Sequence, residues 1–305
     1  MYLKRSLTWN AKDFFKLNTQ YLNSSELATK LMIQQLQNFL SPSSNSNTKD
    51  EKSTELARMT AEITEGKGYV MLPDLITPEE AAEARQVVLE AVERERGQDK
   101  LIVQGKKERL YGLIYKSEIF TRMAQHESLL AIVDAIIGQE AILGGFSAHV
   151  LHPGAKSMGI HVDYPYWAMS APFPKYPVLE LQVIWLMEDF TATNGAPFFA
   201  AGTQNRADEP NKWQFKAIAE RITGKAGSAI ISHGLCWHDT SDNNSDRPRV
   251  SVLGNYTPQY IQPLENNLFD CDREVIENAS PRLKKLLRHD LMPKSKPIHA
   301  MKFMQ

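Results

Sequence analysis

From Ile142 to about Tyr256 the chain is a succession of short apolar and β-branched runs broken by turn residues, and this pattern limits the fold more than any other feature. "ILGGFSAHVL" leads into Pro153-Gly154, and Val178 to Leu186 is nearly all apolar with Gln182 inside it. "APFFAA", "SAIIS" and "RVSVLGNY" follow, with turns at Asn194-Gly195, Gly202-Thr203 and His233-Gly234 between them. Runs this short, rich in β-branched and aromatic residues, read as strands. Many short strands with turns between them, flanked by helical patterns, predict a mainly β fold of the double-stranded β-helix type, a jelly roll. With 305 residues and 42% hydrophobic content the chain can build one large core.

Helices are predicted outside that region. Leu27, Leu31, Met32 and Leu36 sit near helical spacing and predict a helix from Ser25 to Phe39. "SPSSNSNTKDEKS" then reads as a polar linker with too little apolar surface to order itself. The chain thus divides into an N-terminal extension with linker, residues 1–52, and a main domain, residues 53–305. A short helix from Ser53 to Glu65 precedes the strand "YVMLP". Thr77-Pro78-Glu79-Glu80 is a helix start with a capping box, and Ala81, Ala84, Val88 and Ala91 follow at helical period. "LLAIVDAIIG" reads as a second covering helix stopped at Gly138, and "SPRLKKLLRH" as a third near the C-terminus.

A net charge of -1 leaves no basic excess for nucleic acid or an anionic membrane. Cys236 and Cys271 are too few for a disulfide framework. No stretch approaches about 18 consecutive apolar residues, and the N-terminus lacks a signal-peptide core. These features predict a soluble, cytoplasmic protein whose partner is a small-molecule substrate; a homo-oligomer is compatible with them.

Chemistry is concentrated at His161-Val162-Asp163. In an extended strand, residues two apart project to one side, so this imidazole and carboxylate can reach one point. His238 is the candidate third group. Two neutral imidazoles and a carboxylate form the facial triad of non-haem Fe(II) oxygenases, which leaves three positions for cosubstrate and O2. A bare His-x-Asp triplet occurs often by chance, but here "HDTSDNNSDRPRVSV" supplies His238 and then Arg249 eleven positions on. A guanidinium fork there can hold the far carboxylate of 2-oxoglutarate bidentately.

Five segments, "GYVMLPDLITPEE", "HVDYPYW", "LQVIWLMEDFTATNGAPFFAAGTQ", "GLCWHD" and "NNSDRPRVSV", resemble the phytanoyl-CoA dioxygenase family of Fe(II)/2-oxoglutarate oxygenases across roughly residues 55 to 265. "AAGTQ" departs from the family's usual Pro-Gly-Ser-His ending, which touches a turn and not a ligand. The resemblance implies a cupin-like jelly roll and assigns His161, Asp163 and His238 to Fe(II). It favours His238 over the nearby His233, because only His238 has the arginine at the family's spacing. Arg249 becomes the anchor of the 2-oxoglutarate distal carboxylate, assisted by Thr240, although Thr240 also reads as a plain turn hydroxyl. Strand parity puts Arg247 on Arg249's face, but Arg247 still lies in the loop before Pro248; Ser251 shares that face and lines the same pocket. Trp167 matches an aromatic beside the cosubstrate, or packs. His149 and His152 read as structural.

The implied activity is hydroxylation of a small organic molecule with 2-oxoglutarate and O2 consumed and succinate and CO2 released. Desaturation, ring closure or dealkylation would need only another substrate pose. A non-catalytic binding barrel is opposed by the intact His161, Asp163, His238 and Arg249, and a cosubstrate-free oxygenase by that same arginine. An Asp at 163, where halogenating relatives carry a small residue, points to oxygenation. Several aromatics of the loop from Tyr164 to Tyr176 are predicted to close over the pocket when substrate binds, with Lys106 to Tyr115 as the opposite wall.

Overall fold

The computed structural model describes residues 46–265 and 272–289; the helix predicted over residues 25–39, and Cys271, lie outside them. Described residues from Leu56 onward belong to one compact unit. Helix α1 (Ser46–Thr64) begins seven residues before the predicted start at Ser53, inside the stretch read as linker. Polar composition prevents burial but does not prevent helix formation, and the apolar stripe of Leu56, Met59 and Ile63 holds the far end of the same helix against the core.

Strand β1 (Tyr69–Leu72) leads to α2 (Pro78–Arg94), whose start is as predicted. Thr77 Oγ1 accepts from the Glu80 amide at 3.2 Å and a Glu80 carboxylate oxygen accepts from the Thr77 amide at 3.0 Å. Ala81, Ala84, Val88 and Ala91 are its buried stripe. Strands β2 (Leu101–Gln104) and β3 (Lys107–Leu110), helices α3 (Glu118–Ala124) and α4 (Glu127–Ile136), and β4 (Ile142–Leu151) follow. Gly138, with φ +105, ends the α4 segment in a conformation that favours glycine. The remaining strands are β5 (Leu181–Leu186), β6 (Pro197–Ala200), β7 (Ala219–Arg221), β8 (Ala229–His233), β9 (His238–Thr240) and β10 (Arg249–Thr257). Helix α5 (Lys212–Ile218) precedes β7, and α6 (Arg273–Asn278) and α7 (Pro281–Leu286) close the described chain.

Among the described residues all strand pairs are antiparallel. One sheet has the order β1-β8-β5-β10-β4-β3-β2 and faces a smaller sheet of order β7-β6-β9, the two-sheet arrangement of a jelly roll. Register fixes which side chains look where. Ser251 pairs with His149 on one side and Leu186 on the other, and His149 pairs in turn with Arg109, so these four share a face. Arg249, Leu253, Ile184 and Gln182 lie on that same inner face.

The opposite face, with Ala148, Val150, Val183, Trp185, Val250 and Val252, is the main core beneath the helices. Ala84 and Val88 of α2, Phe120 of α3, Ile132 of α4 and Leu286 of α7 pack into it. At about 1.5–3 kcal/mol for each large apolar side chain buried, this outer layer is what fixes the sheet. The polar inner face is therefore free to serve a site.

The run predicted as a strand over Val178–Leu186 forms a ladder only from Leu181. Val178, Leu179 and Glu180 are buried but approach the ladder as irregular chain. The predicted strand at Ile160–Asp163 is a single antiparallel bridge between His161 and His238.

Candidate active site

That bridge assembles the site. His161 and His238 exchange backbone hydrogen bonds at 3.0 and 3.2 Å, and the Asp163 amide donates to the Gly234 carbonyl at 2.8 Å. One atom from each of His161, Asp163 and His238 then lies within 4.8 Å of the others. His161 Nδ1 is 2.7 Å from the Gly159 carbonyl and His238 Nδ1 is 2.9 Å from that of Cys236. A carbonyl can only accept, so each ring donates from Nδ1 and keeps a lone pair on Nε2. Burial, above all, lowers the pKa of both rings, that of His238 to about 4, which keeps them in the neutral, ligating form. His238 also stacks on Phe199, with ring centroids 5.2 Å apart.

Asp163 is oriented as well. Its Oδ1 accepts from Gln182 Nε2 at 2.7 Å, while Oδ2 is buried with no hydrogen-bond partner among the described residues. Burial pushes this carboxyl up, and a cation among the three side chains would reverse that. An orphaned carboxylate oxygen facing two Nε2 lone pairs is a donor set that fits a divalent iron.

Arg249 opens β10 at the inner wall and is 2% exposed. Its Nη1 donates to Ser251 Oγ at 2.9 Å and its Nη2 to the Gly195 carbonyl at 2.8 Å, and the group lies 4.5 Å from the Phe190 ring centroid. Gly195 has φ +85, and a Cβ there would stand 2.7 Å from Leu151 Cδ1, so only glycine presents its carbonyl this way. Arg249 Nε is buried without a partner, and among the described residues no carboxylate is paired with this cation. Glu188 senses its charge but is paired with Arg85 at 3.1 Å. Burial consequently pulls the guanidinium down to about 10. An incoming carboxylate would supply the missing counter-charge.

The cleft is lined by His161, Asp163, His238, Arg249, Ser251 and Thr240 of the predicted set. Thr240 Oγ1 accepts from the Met158 amide at 3.3 Å. Trp167 does not join them. It is 59% exposed, pairs with Tyr164 at 5.5 Å and is absent from the lining, because the loop turns outward one 3-10 turn after Asp163. Phe173 and Tyr166 of the same loop are buried against Val162, Leu179 and Trp237, and Tyr166 Oη accepts from the Leu179 amide at 2.8 Å. His233 is buried, accepts from the Leu235 amide at 3.0 Å and stays outside the cluster. Arg247 has an 83% exposed side chain. His152 is paired with Glu108 at 2.6 Å.

The segment Lys106 to Tyr115, expected as a wall, does reach the cleft through Arg109, whereas His149, read as structural, lines it too, as do Gln182 and Asp239, which were not expected as site groups. The signal was present in "FSAHVL", where Phe146, Ala148 and Val150 alternate with Ser147 and His149 and only the first set enters the core.

A family model described as phytanoyl-CoA dioxygenase (PhyH) matches residues 64–251. The chain belongs to that family. The dioxygenase is 25% identical over 235 residues to "Dioxygenase af480" of Aspergillus fumigatus, covering 72% of this chain and 73% of the relative. It is also 25% identical over 136 residues to "Fe(II)/2-oxoglutarate-dependent dioxygenase nvfF" of Aspergillus novofumigatus, covering 44% and 45%. Among solved structures it resembles the non-heme alpha ketoglutarate dependent epimerase SnoN from nogalamycin biosynthesis, with 18% identity, TM-score 0.54, and 67% and 83% of the two chains covered. A SnoN complex with Fe3+, alpha ketoglutarate and nogalamycin RO gives TM-score 0.56 at the same identity, covering 75% and 93%. The protein is thus a non-haem dioxygenase that uses Fe(II) and 2-oxoglutarate on a small-molecule substrate, within the jelly-roll fold. Among the described residues no helix is long and apolar enough to cross a membrane.

Proposed function

We propose that this dioxygenase hydroxylates a small organic molecule, with Fe(II) held by His161, Asp163 and His238 and with 2-oxoglutarate anchored at its distal carboxylate by Arg249. The observation that carries the proposal is the orientation of the three donors: both Nδ1 atoms are tied to carbonyls, Gln182 holds one Asp163 oxygen, and the other oxygen is unpartnered. Bound iron and 2-oxoglutarate supply the activation of O2, so that 2-oxoglutarate, O2 and R–H become succinate, CO2 and R–OH.

The protein's own residues bind and orient. Arg249 takes the carboxylate remote from the metal, steadied by Ser251 and the Gly195 carbonyl. Thr240 adds a hydroxyl at the same wall. Ile184, Leu253 and Pro197 make that wall apolar between the polar groups, which limits water around the reacting centre. Asp239 Oδ1 accepts from the Met158 and Gly159 amides at 3.1 and 3.0 Å and so fixes the chain entering His161.

The test is a screen of candidate substrates with iron and 2-oxoglutarate, reading succinate release and identifying products by mass spectrometry. A product 16 mass units heavier than its substrate, formed in step with succinate, is the expected result (about one oxygen atom added per turnover). A product two hydrogens lighter, or an isomer of the substrate, would move the reaction to desaturation or epimerisation on the same site.

A further inference from the structure

Strand β2 is an open edge of the larger sheet. It pairs with β3 from Leu101↔Leu110 to Gln104↔Lys107, and among the described residues no strand pairs with its other side. The two edges of this sheet differ. At the far edge, β1 buries Tyr69, Val70 and Leu72 and half-buries Met71. β2 buries only Leu101 and exposes the next three residues, with Ile102 at 44% and Val103 at 50%. Edge strands that stay unpaired are usually protected by a charge, a proline or a bulge, and Leu101–Gln104 has none of these.

Backbone direction follows from the hairpin. The Lys100 carbonyl accepts from the Tyr111 amide at 2.9 Å, and the turn at Gly105 and Lys106 closes between Gln104 and Lys107. The groups facing β3 therefore sit at Lys100, Ile102 and Gln104, and alternation turns the Val103 N–H and C=O outward together with the Leu101 C=O. The Leu101 amide is satisfied locally by the Gln98 carbonyl at 3.1 Å. Side chains alternate too. Ile102, opposite Arg109, is on the face of the cleft, and Val103, opposite Glu108, is on the other face. One uncharged edge thus exposes apolar surface on both sides.

We infer that two copies of this chain associate through β2, edge to edge and antiparallel, about a twofold axis at Val103. In that register the Val103 N–H of each copy donates to the Val103 C=O of the other. The Leu101 C=O of each copy faces Gly105 of the other, and Ile102 lies opposite Gln104 of the second copy. The occupant is a second copy because the edge complements itself: Val103 offers a donor and an acceptor, and no residue of Leu101–Gln104 carries a charge to repel its own image. An acidic or basic peptide would find no counter-charge on the strand. Lys106 leaves the edge clear, since a Cβ at Gly154 would stand 2.8 Å from its Nζ, which places the ammonium back beside the end of β4. Ile102 continues the row of Leu186, Ser251, His149 and Arg109, so the second copy extends the inner face beyond the rim of the cleft.

Sedimentation equilibrium of the full chain across a wide concentration range measures the association. The wild type approaches twice the chain mass at high concentration. Val103→Pro deletes only the outward N–H, which an edge strand tolerates, and Val103→Lys sets two ammonium groups together at the axis from an exposed position. Each raises the dimer dissociation constant about tenfold or more, because interchain hydrogen bonds are lost or like charges meet. Trp213→Lys on α5, at the more exposed 80%, leaves the constant unchanged. Amide exchange read by mass spectrometry adds a local signal: peptides spanning residues 101–105 gain protection with concentration in the wild type and not in Val103→Lys. Circular dichroism verifies folding, and Val103→Lys carries the test should Val103→Pro not fold. A wild type that keeps the mass of one chain, a dimer that persists unchanged in Val103→Lys, or a dimer lost in Trp213→Lys would each overturn the inference.

Discussion

Replacing Arg249 with Met separates the cosubstrate role of this residue from any structural one. The guanidinium is buried, its two Nη groups donate only to neutral acceptors, and its Nε has no partner. Nothing among the described residues compensates its charge by direct pairing, and burial pulls its pKa down to about 10. In the free protein, methionine therefore removes an uncompensated cation together with two hydrogen bonds, and the two losses oppose each other in stability. When 2-oxoglutarate is present the balance changes, because a charge-assisted bond to a carboxylate contributes about 1.5–3 kcal/mol. At about 1.4 kcal/mol per factor of ten, the affinity for 2-oxoglutarate should fall roughly ten- to hundredfold. Arg247→Ala, at an exposed position in the loop whose carbonyl accepts from Asn243 Nδ2, should leave that affinity unchanged. Calorimetric titration of the anaerobic Fe(II) protein measures both constants, and thermal unfolding with and without 2-oxoglutarate shows the wild type gaining midpoint temperature where Arg249→Met does not. Equal effects from the two arginines, or an Arg249→Met affinity within about twofold of wild type, would refute the anchor.

Gln182→Leu should weaken iron binding about tenfold or more by releasing Asp163 Oδ1, with 2-oxoglutarate-independent metal titration as the check. Phe173→Ala should destabilise the fold by about 3–5 kcal/mol, since the ring is 5% exposed in an apolar cluster, whereas Trp167→Ala should stay within about 0.5 kcal/mol; denaturant unfolding distinguishes them. Burial lowers His233 from 6.5 to about 4, so the folded chain binds this proton less readily than the unfolded chain. Its contribution is full above pH 6.5 and is lost as the pH falls toward 4, about 3 kcal/mol in all. His233→Gln should remove that share of the acid sensitivity, and an unchanged slope of unfolding free energy against pH would count against it.

What could be read from the sequence was what depends on local spacing. The two-residue period placed His161 and Asp163 on one side and Arg249 with Ser251 on one face, and both hold. The Thr77 capping box and the α2 stripe were legible for the same reason. The place of His149 in the cleft was not, because alternation divides β4 into two faces without saying which is inner, and that choice depends on long-range pairing with β3 and β10. The aromatic loop misled in the opposite direction. Tyr166 and Phe173 satisfy their hydrophobicity by packing on Val162 and Trp237, so their size alone did not mark pocket-lining residues. Polar composition likewise concealed the first turns of α1, which need no apolar face to continue a helix already held at Ile63.

The most direct measurement is iron stoichiometry by anaerobic equilibrium dialysis of the wild type and of His161→Ala, Asp163→Ala, His238→Ala and His233→Gln, with folding of each verified by circular dichroism. The account predicts one tightly held Fe(II) per chain in the wild type and in His233→Gln, and its loss in each of the other three. A His238→Ala protein that holds iron as the wild type does, beside a His233→Gln protein that does not, would contradict it.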